Sequence, residues 1–314
     1  MINDFFKKFL TNNAVFYNNT PIFFDNPSEE LKYIEKTQVF SLLFNKSLLK
    51  IHGKDAEKFL NTQFTNNAIL DNNEVRISSY CNPKGRVISV FYLFKINKDI
   101  YIYTLKDNIK KLVETLKIYK MMSEVDFTII ECDIIGFPKE NLKKEKKSYM
   151  ENNNIYLSID NQLICFTKNA ESLINTNDKC IGFGTFNLLD IEAKIPFINE
   201  SFIEKYTPQM ISLDKLGGVS FEKGCYPGQE VVARTHYLGE SKQSLYLINI
   251  NSDKINVTEN NILSIEDKIT QNAIINIAKT SKSEFKALAV IRNEDSNKSL
   301  CVNKNAIVSN LLKI

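Results

Sequence analysis

The sequence predicts an α+β fold followed by a small all-β unit, and three observations lead to this prediction. The chain has 314 residues, of which 43% are hydrophobic, so it can bury the cores of two or three compact units. Up to residue 138, the candidate elements follow the order strand, helix, strands, helix, strand, which favours a mixed or antiparallel sheet. From Lys242 onward, short apolar runs alternate with turn residues and contain no convincing helix.

The first region contains strand and helix patterns separated by clear turn signals. Helices are predicted over 55–64 and from 107 to about 122, because apolar residues recur there at helical spacing. Asp107 is well placed to cap the second helix or to complement its dipole. Asn82-Pro83-Lys84-Gly85 is a strong turn sequence. The predicted strands of this region cover residues 47–51, 75–81, 87–96, 99–105 and 125–132.

A polar connector is predicted over 138–154, and shorter elements follow it. Strands are predicted over 155–159, 162–167 and 179–186, with a short helix over 169–176. The last apolar runs have a spacing typical of a small β-barrel or sandwich of roughly 70 residues, and they cover 245–250, 262–265, 273–278 and 286–291. We therefore predict that residues 1–240 form two intertwined α+β units and that residues 241–314 form a barrel.

The charge pattern argues against a polyanionic partner. Charged residues make up 25% of the chain and the net charge is +3, whereas nucleic-acid binders concentrate Lys and Arg on one element. The densest basic run, 143–147, is interpreted as a solvated loop, with an electrostatic contact to RNA or to an acidic protein as the alternative. Direct binding of RNA is therefore not expected.

Localisation and metal binding can also be addressed from the sequence. No stretch approaches the roughly 18–20 consecutive apolar residues of a membrane span, and residues 1–9 lack the apolar core of a secretory signal. A cytoplasmic protein without membrane contact is expected. The six cysteines form no Cys-x-x-Cys pair, and only His52 and His236 could supply imidazole, so no zinc or self-contained iron–sulfur site is predicted.

One cysteine has a setting that favours reactivity. Cys225 lies in the run Lys223-Gly224-Cys225-Tyr226-Pro227-Gly228-Gln229-Glu230, a turn that leads into a predicted helix. A thiol just before a helix N-terminus feels unpaired N–H groups and the positive end of the helix dipole, and Lys223 adds a cation nearby. Both favour the thiolate, which is the form that acts as a nucleophile or metal ligand. The alternative is a cysteine that fills a tight space between glycines.

This run resembles the signature segment of the YgfZ family, Lys-Gly-Cys-(Tyr or Phe)-x-Gly-Gln-Glu. The flanking residues also agree with the family; they are Pro208-Gln209, Leu213-Asp214 and 217–221 before the run, and Val232-Ala233-Arg234 and Gly239 after it. A second similar block covers 53–66 and 81–86. A weaker third block is Glu192-Ala193-Lys194-Ile195-Pro196, where the family usually has Gly at the position of Lys194. The resemblance spans roughly 45–240, and the tail is compatible with the family's C-terminal barrel.

The resemblance implies a tetrahydrofolate-binding fold of small mixed-sheet units around a central opening, related to the glycine-cleavage aminomethyltransferases. It also implies a role in the assembly or repair of iron–sulfur enzymes, including those that modify tRNA, with these enzymes or cluster-assembly proteins as partners. The aminomethyltransferases carry acidic residues, one of them catalytic, at the positions that align with Ser89 and Val90. Because no general acid/base carboxylate stands there, transfer of an aminomethyl group is not expected.

Tetrahydrofolate is the cofactor that the resemblance implies, and its chemistry suggests candidate contacts. Its pterin edge needs a carboxylate or carboxamide, its rings need stacking partners, and its glutamate tail needs cations. Glu192 stands where the resemblance puts the pterin contact, and Arg234 is the candidate for the tail. Lys84, Arg86 and Gln229 are further candidates, and the alternative for the charged residues is a surface ion pair. The chain has no Trp, so stacking falls to Phe or Tyr.

Two functions remain open on the sequence alone. The first is a folate-binding accessory protein for iron–sulfur enzymes, non-catalytic in the ordinary sense, in which Cys225 acts as a transient thiolate with Lys223. The second is a folate-dependent one-carbon transferase with an altered substrate, which uses Cys225 or Glu192 in place of the missing carboxylate. A scaffold that has lost folate binding is a third alternative.

Overall fold

Two larger β-sheets, a two-stranded hairpin and a closed barrel make up the structure, which is a computed structural model. It describes residues 4–17, 20–36, 38–138, 147–175, 177–252, 262–265, 268–302 and 306–314. In these ranges no helix combines the length and the apolar character that a membrane crossing requires.

The N-terminal residues form the hairpin and one strand of a six-stranded sheet. Their elements are α1 (Asp4–Lys7), β1 (Val15–Tyr17), β2 (Thr20–Phe23), α2 (Pro27–Lys36) and β3 (Val39–Leu42). β1 and β2 pair antiparallel with each other, whereas β3 pairs with strands that come much later in the chain.

The next region forms a five-stranded antiparallel sheet, in the order β5-β6-β7-β4-β8, with two helices. Its elements are β4 (Lys46–His52), α3 (Ala56–Asn61), β5 (Val75–Cys81), β6 (Val87–Ile96), β7 (Asp99–Leu105), α4 (Lys106–Lys120) and β8 (Asp126–Ile130). Successive side chains of a strand point to opposite faces. Along β6, Phe91 and Leu93 therefore pack with apolar residues of α3 and α4, while Tyr92 and Phe94 face the six-stranded sheet.

The six-stranded sheet has the order β10-β11-β12-β9-β3-β13 and is mixed, because β13 pairs parallel with β3 while the other pairs are antiparallel. Its remaining elements are β9 (Asp133–Pro138), β10 (Ser148–Glu151), β11 (Asn154–Ile159), β12 (Gln162–Thr167) and β13 (Lys179–Ile181). The helix α5 (Phe183–Glu192) follows and packs against this sheet. An apolar cluster that includes Leu157, Ile164 and Phe166 fills the space toward the five-stranded sheet.

A buried ion pair also joins the two larger sheets. Lys46 Nζ at the start of β4 lies 2.8 Å from Asp190 Oδ2 on α5, and both side chains are only 3% exposed. Gln162 Nε2 on β12 donates to the other carboxylate oxygen of Asp190 at 2.9 Å. The Lys46 ammonium also lies 3.4 Å from the ring centroid of Phe197. These contacts compensate the desolvation of both charges and fix the two sheets relative to each other.

The last helix, α6 (Gln229–Leu238), leads into a closed barrel with the order β14-β17-β16-β15-β18-β19. Its strands are β14 (Gln243–Asn251), β15 (Ile262–Ile265), β16 (Lys268–Lys279), β17 (Glu284–Arg292), β18 (Leu300–Val302) and β19 (Ala306–Lys313). Alternate residues of β17 serve two cores. Ala287 and Ala289 belong to the core of the barrel itself, while Leu288 and Val290 pack outward against Ile198, Phe202 and neighbouring residues.

Most of the predicted architecture is confirmed. The α+β class, the mixed sheet and the C-terminal barrel are present, and the barrel is closed. The strands predicted at 47–51, 75–81, 87–96 and 99–105 are present at those positions, to within one residue at each end. The helix predicted from 107 begins at Lys106 and ends at Lys120, and the side chain of Asp107 makes no capping hydrogen bond because Leu105 occupies the N-cap position.

Some predicted elements are wrong or shorter. The strand predicted over 179–186 ends at Ile181, because the helix α5 begins at Phe183. Within the connector predicted over 138–154, residues 139–146 lie outside the described ranges, which covers most of the basic run 143–147, and residues 148–151 form the strand β10. The predicted helices at 55–64 and 169–176 shorten to α3 and to a 3₁₀ turn over Ala170–Leu173, and β18 and β19 were not anticipated.

Candidate functional site

Cys225 lies in the loop that precedes α6, where the sequence predicts it, and its side chain is exposed. Gly228, the N-cap of α6, has a φ of +81°, in the left-handed region that favours glycine. A Cβ on Gly228 would lie 2.5 Å from the carbonyl oxygen of Asn82 and 2.5 Å from the Cα of Gly85. Only glycine at this position allows the 82–86 turn to touch the start of α6. The contact brings together two segments that resemble the YgfZ family, the run 223–230 and the block 81–86.

The turn over 82–86 is held by hydrogen bonds from one side chain, and its two basic residues, Lys84 and Arg86, have different surroundings. Asn82 Oδ1 accepts hydrogen bonds from the backbone N–H groups of Lys84 (2.9 Å) and Arg86 (3.0 Å). The Arg86 guanidinium donates to the Lys205 carbonyl at 2.8 Å and contacts Met210 Sδ at 3.5 Å. Arg86 is therefore engaged in holding the turn to the segment that follows α5, whereas Lys84 is exposed at the tip.

Lys223 is turned toward the segment after α3. Its Nζ donates to the carbonyl oxygens of Phe64 (2.5 Å) and Asn66 (3.3 Å), and it lies 5.1 Å from the ring centroid of Tyr226. Burial lowers the pKa of Lys223 to about 8. The ammonium thus ties the cysteine loop to residues 64–66, a role that the sequence reasoning did not foresee.

Further hydrogen bonds connect residues 64–66 with the start of the same loop. Thr65 Oγ1 donates to the Gly218 carbonyl at 2.8 Å, and the backbone N–H of Ser220 donates to the Thr65 carbonyl at 2.9 Å. The side-chain amide of Asn66 donates to the carbonyls of Gly217 (2.8 Å) and Ile77 (2.9 Å). We refer to these contacts between residues 64–66 and residues 217–223, including those of Lys223, as the polar clamp.

Two adjoining cavities lie beside the polar clamp, and the second of them is lined by residues of both larger sheets. The first, of about 420 Å³, is lined by Asn66, Val75, Arg76, Ile77, Leu216 and Gly217. The second, of about 240 Å³, shares Val75, Ile77 and Leu216 with the first and is also lined by Tyr92, Lys147, Ser158, Ile159, Asp160, Ala193 and Ile195. Because the two cavities share these three lining residues, we treat them as one region, which we call the central cavity. Its size is in the range of sites for small organic ligands.

The central cavity has a mixed lining of apolar and polar residues. In the smaller cavity, Asp160 Oδ2 accepts a hydrogen bond from the hydroxyl of Tyr92 at 3.2 Å, and Lys147 belongs to the same lining. Burial raises the pKa of Tyr92 well above its usual value, with the nearby Asp160 carboxylate as a further cause. In the larger cavity, Arg76 is held by Glu74 at 2.6 Å and by the Asn67 carbonyl at 3.1 Å. An acidic residue, a tyrosine and two basic residues thus belong to the lining of one region.

The predicted folate contacts are not among the residues that line this cavity. Glu192 ends α5 next to the wall residue Ala193, and its carboxylate forms a 2.8 Å ion pair with Lys286 of the barrel. Arg234 is exposed on α6, and Gln229 is the first residue of that helix. Within the described part of the chain, neither these residues nor Lys84 and Arg86 line the two cavities.

Ser89 and Val90, which align with the acidic residues of the aminomethyltransferases, are both buried. Ser89 shares a 3.1 Å hydrogen bond with Thr104, and Val90 packs in the core that faces the barrel.

Two charged residues that line the central cavity, Asp160 and Arg76, were not identified from the sequence. Asn66 was part of a recognised block, so its place in the block was a usable signal, whereas Asp160 sits in an ordinary hairpin turn with no signal of its own.

Comparison with known proteins gives relatives over most of the chain, although no family model matches. The "tRNA-modifying protein YgfZ" of Blochmanniella pennsylvanica is 32% identical over 227 residues, which are 65% of this chain and 69% of that protein. The protein of the same name from Hamiltonella defensa is 30% identical over 244 residues, 70% of this chain and 71% of that protein. The one from Buchnera aphidicola subsp. Baizongia pistaciae is 28% identical over 291 residues and covers 85% of this chain and 91% of its own length.

A solved structure extends the comparison to the whole fold. The glycine cleavage system aminomethyltransferase T from Bartonella henselae superimposes with a TM-score of 0.79, covering 99% of this chain and 94% of its own, at 11% sequence identity. This likeness confirms the fold class that the sequence predicts. Together with relatives that reach 30% identity over more than two thirds of their own length, it supports a plain assignment: the chain belongs to the YgfZ family.

Proposed function

We propose that this chain is a tetrahydrofolate-binding accessory protein for iron–sulfur enzymes, in which the central cavity holds the folate and the exposed Cys225 thiol acts outside it. One observation carries the proposal: a cavity of suitable size is joined by the polar clamp to the loop that bears an exposed cysteine.

The residues of the central cavity fit the chemistry of a folate. The pterin edge presents N–H donors, and Asp160 offers a carboxylate acceptor beside the ring of Tyr92. Val75, Ile77 and neighbouring side chains supply apolar walls for the aromatic rings, and Arg76 and Lys147 are cations for the glutamate tail. When bound, the folate supplies a carrier for a one-carbon unit.

The accessory role is favoured over a one-carbon transferase because the site lacks a carboxylate at positions 89 and 90, where Ser89 and Val90 are buried. The iron–sulfur part of the proposal rests on the family resemblance and on the exposed thiol, since a thiolate serves as a transient cluster ligand or nucleophile. The relatives carry the name of tRNA-modifying proteins. We infer that this chain affects tRNA through iron–sulfur enzymes in the cytoplasm rather than by direct contact.

Binding of folate is tested by titration calorimetry with tetrahydrofolate. We expect Asp160→Asn to weaken binding about tenfold or more, because a hydrogen bond to a charged group contributes roughly 1.5–3 kcal/mol. Asp71→Asn, a matched change at an exposed position outside the lining of the cavity, should bind like the unmodified protein. Absence of any heat with the unmodified protein would instead identify a scaffold that has lost its ligand.

The role of the thiol is tested separately, in cells that lack their own member of the family. A Cys225→Ser variant should bind tetrahydrofolate normally and fail to restore the activity of iron–sulfur enzymes. Full restoration by this variant would remove Cys225 from the proposal. Turnover of 5,10-methylenetetrahydrofolate with an amine or thiol acceptor would replace the accessory role by a transferase.

A further inference from the structure

The polar clamp and the central cavity share a residue. Asn66 lies in the wall of the larger cavity, and the two carbonyls that its side-chain amide reaches, Gly217 and Ile77, belong to the same wall. Ile77 is part of β5, whereas Gly217 begins the segment that leads to Cys225. The amide of Asn66 therefore bridges the sheet and the cysteine loop across the surface that a ligand would touch.

The backbone of Asn66 extends this bridge toward the thiol. Its carbonyl oxygen accepts a hydrogen bond from Lys223 Nζ at 3.3 Å, and Lys223 stands two positions before Cys225. Its neighbour Thr65 holds the Gly218 carbonyl at 2.8 Å. The segment that precedes Cys225 is thus fastened to residues 64–66 at two points, at 217–218 and at Lys223.

A ligand in the cavity would change the surroundings of the hydrogen bond from the Asn66 side chain to the Gly217 carbonyl. In the larger cavity, the hydrogen bonds of Asn66 face a space that water can enter, and water competes for the Gly217 carbonyl. A flat aromatic ligand against Val75, Ile77 and Leu216 would exclude that water, and a hydrogen bond is stronger in a less polar environment. An occupied cavity should therefore hold the cysteine loop more firmly than an empty one.

We propose that Asn66 is a positioning residue that couples occupancy of the central cavity to the reactivity of Cys225. The proposal rests on the folate-binding function and adds a regulation to it: the thiol is restrained while the folate is bound and is released for reaction when the cavity empties. Asn66 acts through the loop and not by touching the thiol.

The measurement is the rate at which iodoacetamide alkylates Cys225, with and without saturating tetrahydrofolate. A Cys225→Ser variant gives the background from the remaining cysteines. We expect tetrahydrofolate to slow the alkylation roughly 2- to 10-fold, which corresponds to strengthening one hydrogen bond. Asn66→Asp, which places an acceptor opposite two carbonyls, should alkylate at one rate whether or not folate is present.

The matched control is Asn67→Asp. The side chain of Asn67 accepts a hydrogen bond from the backbone of Ile69 and takes no part in the polar clamp, so this variant should keep the folate dependence. Asn66→Gln, which retains the amide, should restore part of it. A purely structural effect of Asn66 would alter the alkylation rate equally in both states and would contradict the proposal.

Failure of the coupling is distinguishable from failure of the folate-binding function. If calorimetry shows binding but the alkylation rate of the unmodified protein does not change, the coupling is wrong and the folate site stands. If no tetrahydrofolate binds, both are overturned. Should Asn66→Asp fail to fold, hydrogen exchange of residues 217–223 in the unmodified protein decides the matter, because equal protection with and without folate contradicts the coupling.

Discussion

The loop that bears Cys225 and the C-terminal barrel differ in the contacts that attach them to the rest of the molecule. The loop has hydrogen bonds from Thr65, Asn66 and Lys223 and only a few buried apolar side chains. The barrel has a larger set of fully buried apolar side chains, such as Leu245 and Leu288, together with a few hydrogen bonds. Hydrogen bonds are directional and few, whereas apolar burial is non-directional and grows with area. The contrast indicates that the barrel contributes stability and that the loop can change state without unfolding the chain.

The largest expected effect is on the barrel side of this comparison. Leu288→Ala removes a fully buried side chain at the junction between the barrel and the rest of the chain, and it should lower the free energy of unfolding by about 2–5 kcal/mol. Urea denaturation measures this loss, and Leu312→Ala, at an exposed position, should lose little. The alkylation rate of Cys225 should stay unchanged; a large change would show that the two regions are not independent.

A smaller effect is expected where the loop enters α6. Gly228→Ala combines a positive φ with a Cβ that would meet the 82–86 turn, and the strained backbone should cost about 1–3 kcal/mol of unfolding free energy. Gly224→Ala is the matched change, since a Cβ there meets nothing within 4 Å. We expect Gly228→Ala alone to alter the alkylation rate of Cys225. Equal alkylation rates in the two variants would show that the contact between the turn and the loop does not influence Cys225.

The third expected effect concerns pH. The pKa of Lys223 falls to about 8 on folding, below the usual value near 10.5, so between these values the unfolded chain binds more protons than the folded one. The contribution of Lys223 to stability should therefore increase as the pH rises from about 8 toward 10. Denaturation of the unmodified protein and of Lys223→Met across this range gives the difference. A difference that shrinks with rising pH would show that the carbonyls of Phe64 and Asn66 outweigh the desolvation of the ammonium.

Local signals in the sequence predicted the parts of the site that depend on backbone geometry. Glycines with a proline between them indicated the turn before α6, and the Asn-Pro-Lys-Gly sequence indicated the turn at 82–85. The helix α5 was missed because it packs between a sheet and the barrel and its apolar and polar residues are spread around the whole helix, so no helical period marks it. A short segment without a helical period can equally be interpreted as a buried strand.

The central cavity could not be predicted from one sequence. It brings together Asn66, Asp160 and Ile195, which come from a loop after a helix, a hairpin turn and the residues after α5. Nothing in the local sequence of these residues encodes their proximity. The partner of Glu192 has the same origin, because Lys286 lies on a strand of the barrel and no spacing rule connects the two positions.

Part of the central cavity requires two sheets to be in contact, and this links ligand binding to folding. The smaller cavity is lined by residues of both the five-stranded and the six-stranded sheet, such as Tyr92 and Ile159, so a chain in which the two sheets have not come together lacks this part of the site. A ligand that binds only the assembled state stabilises it by about 2.7 kcal/mol when present at 100 times its dissociation constant. The amount of intact protein in a cell should therefore follow the supply of that ligand, and a shortage would leave more of the chain exposed to proteolysis.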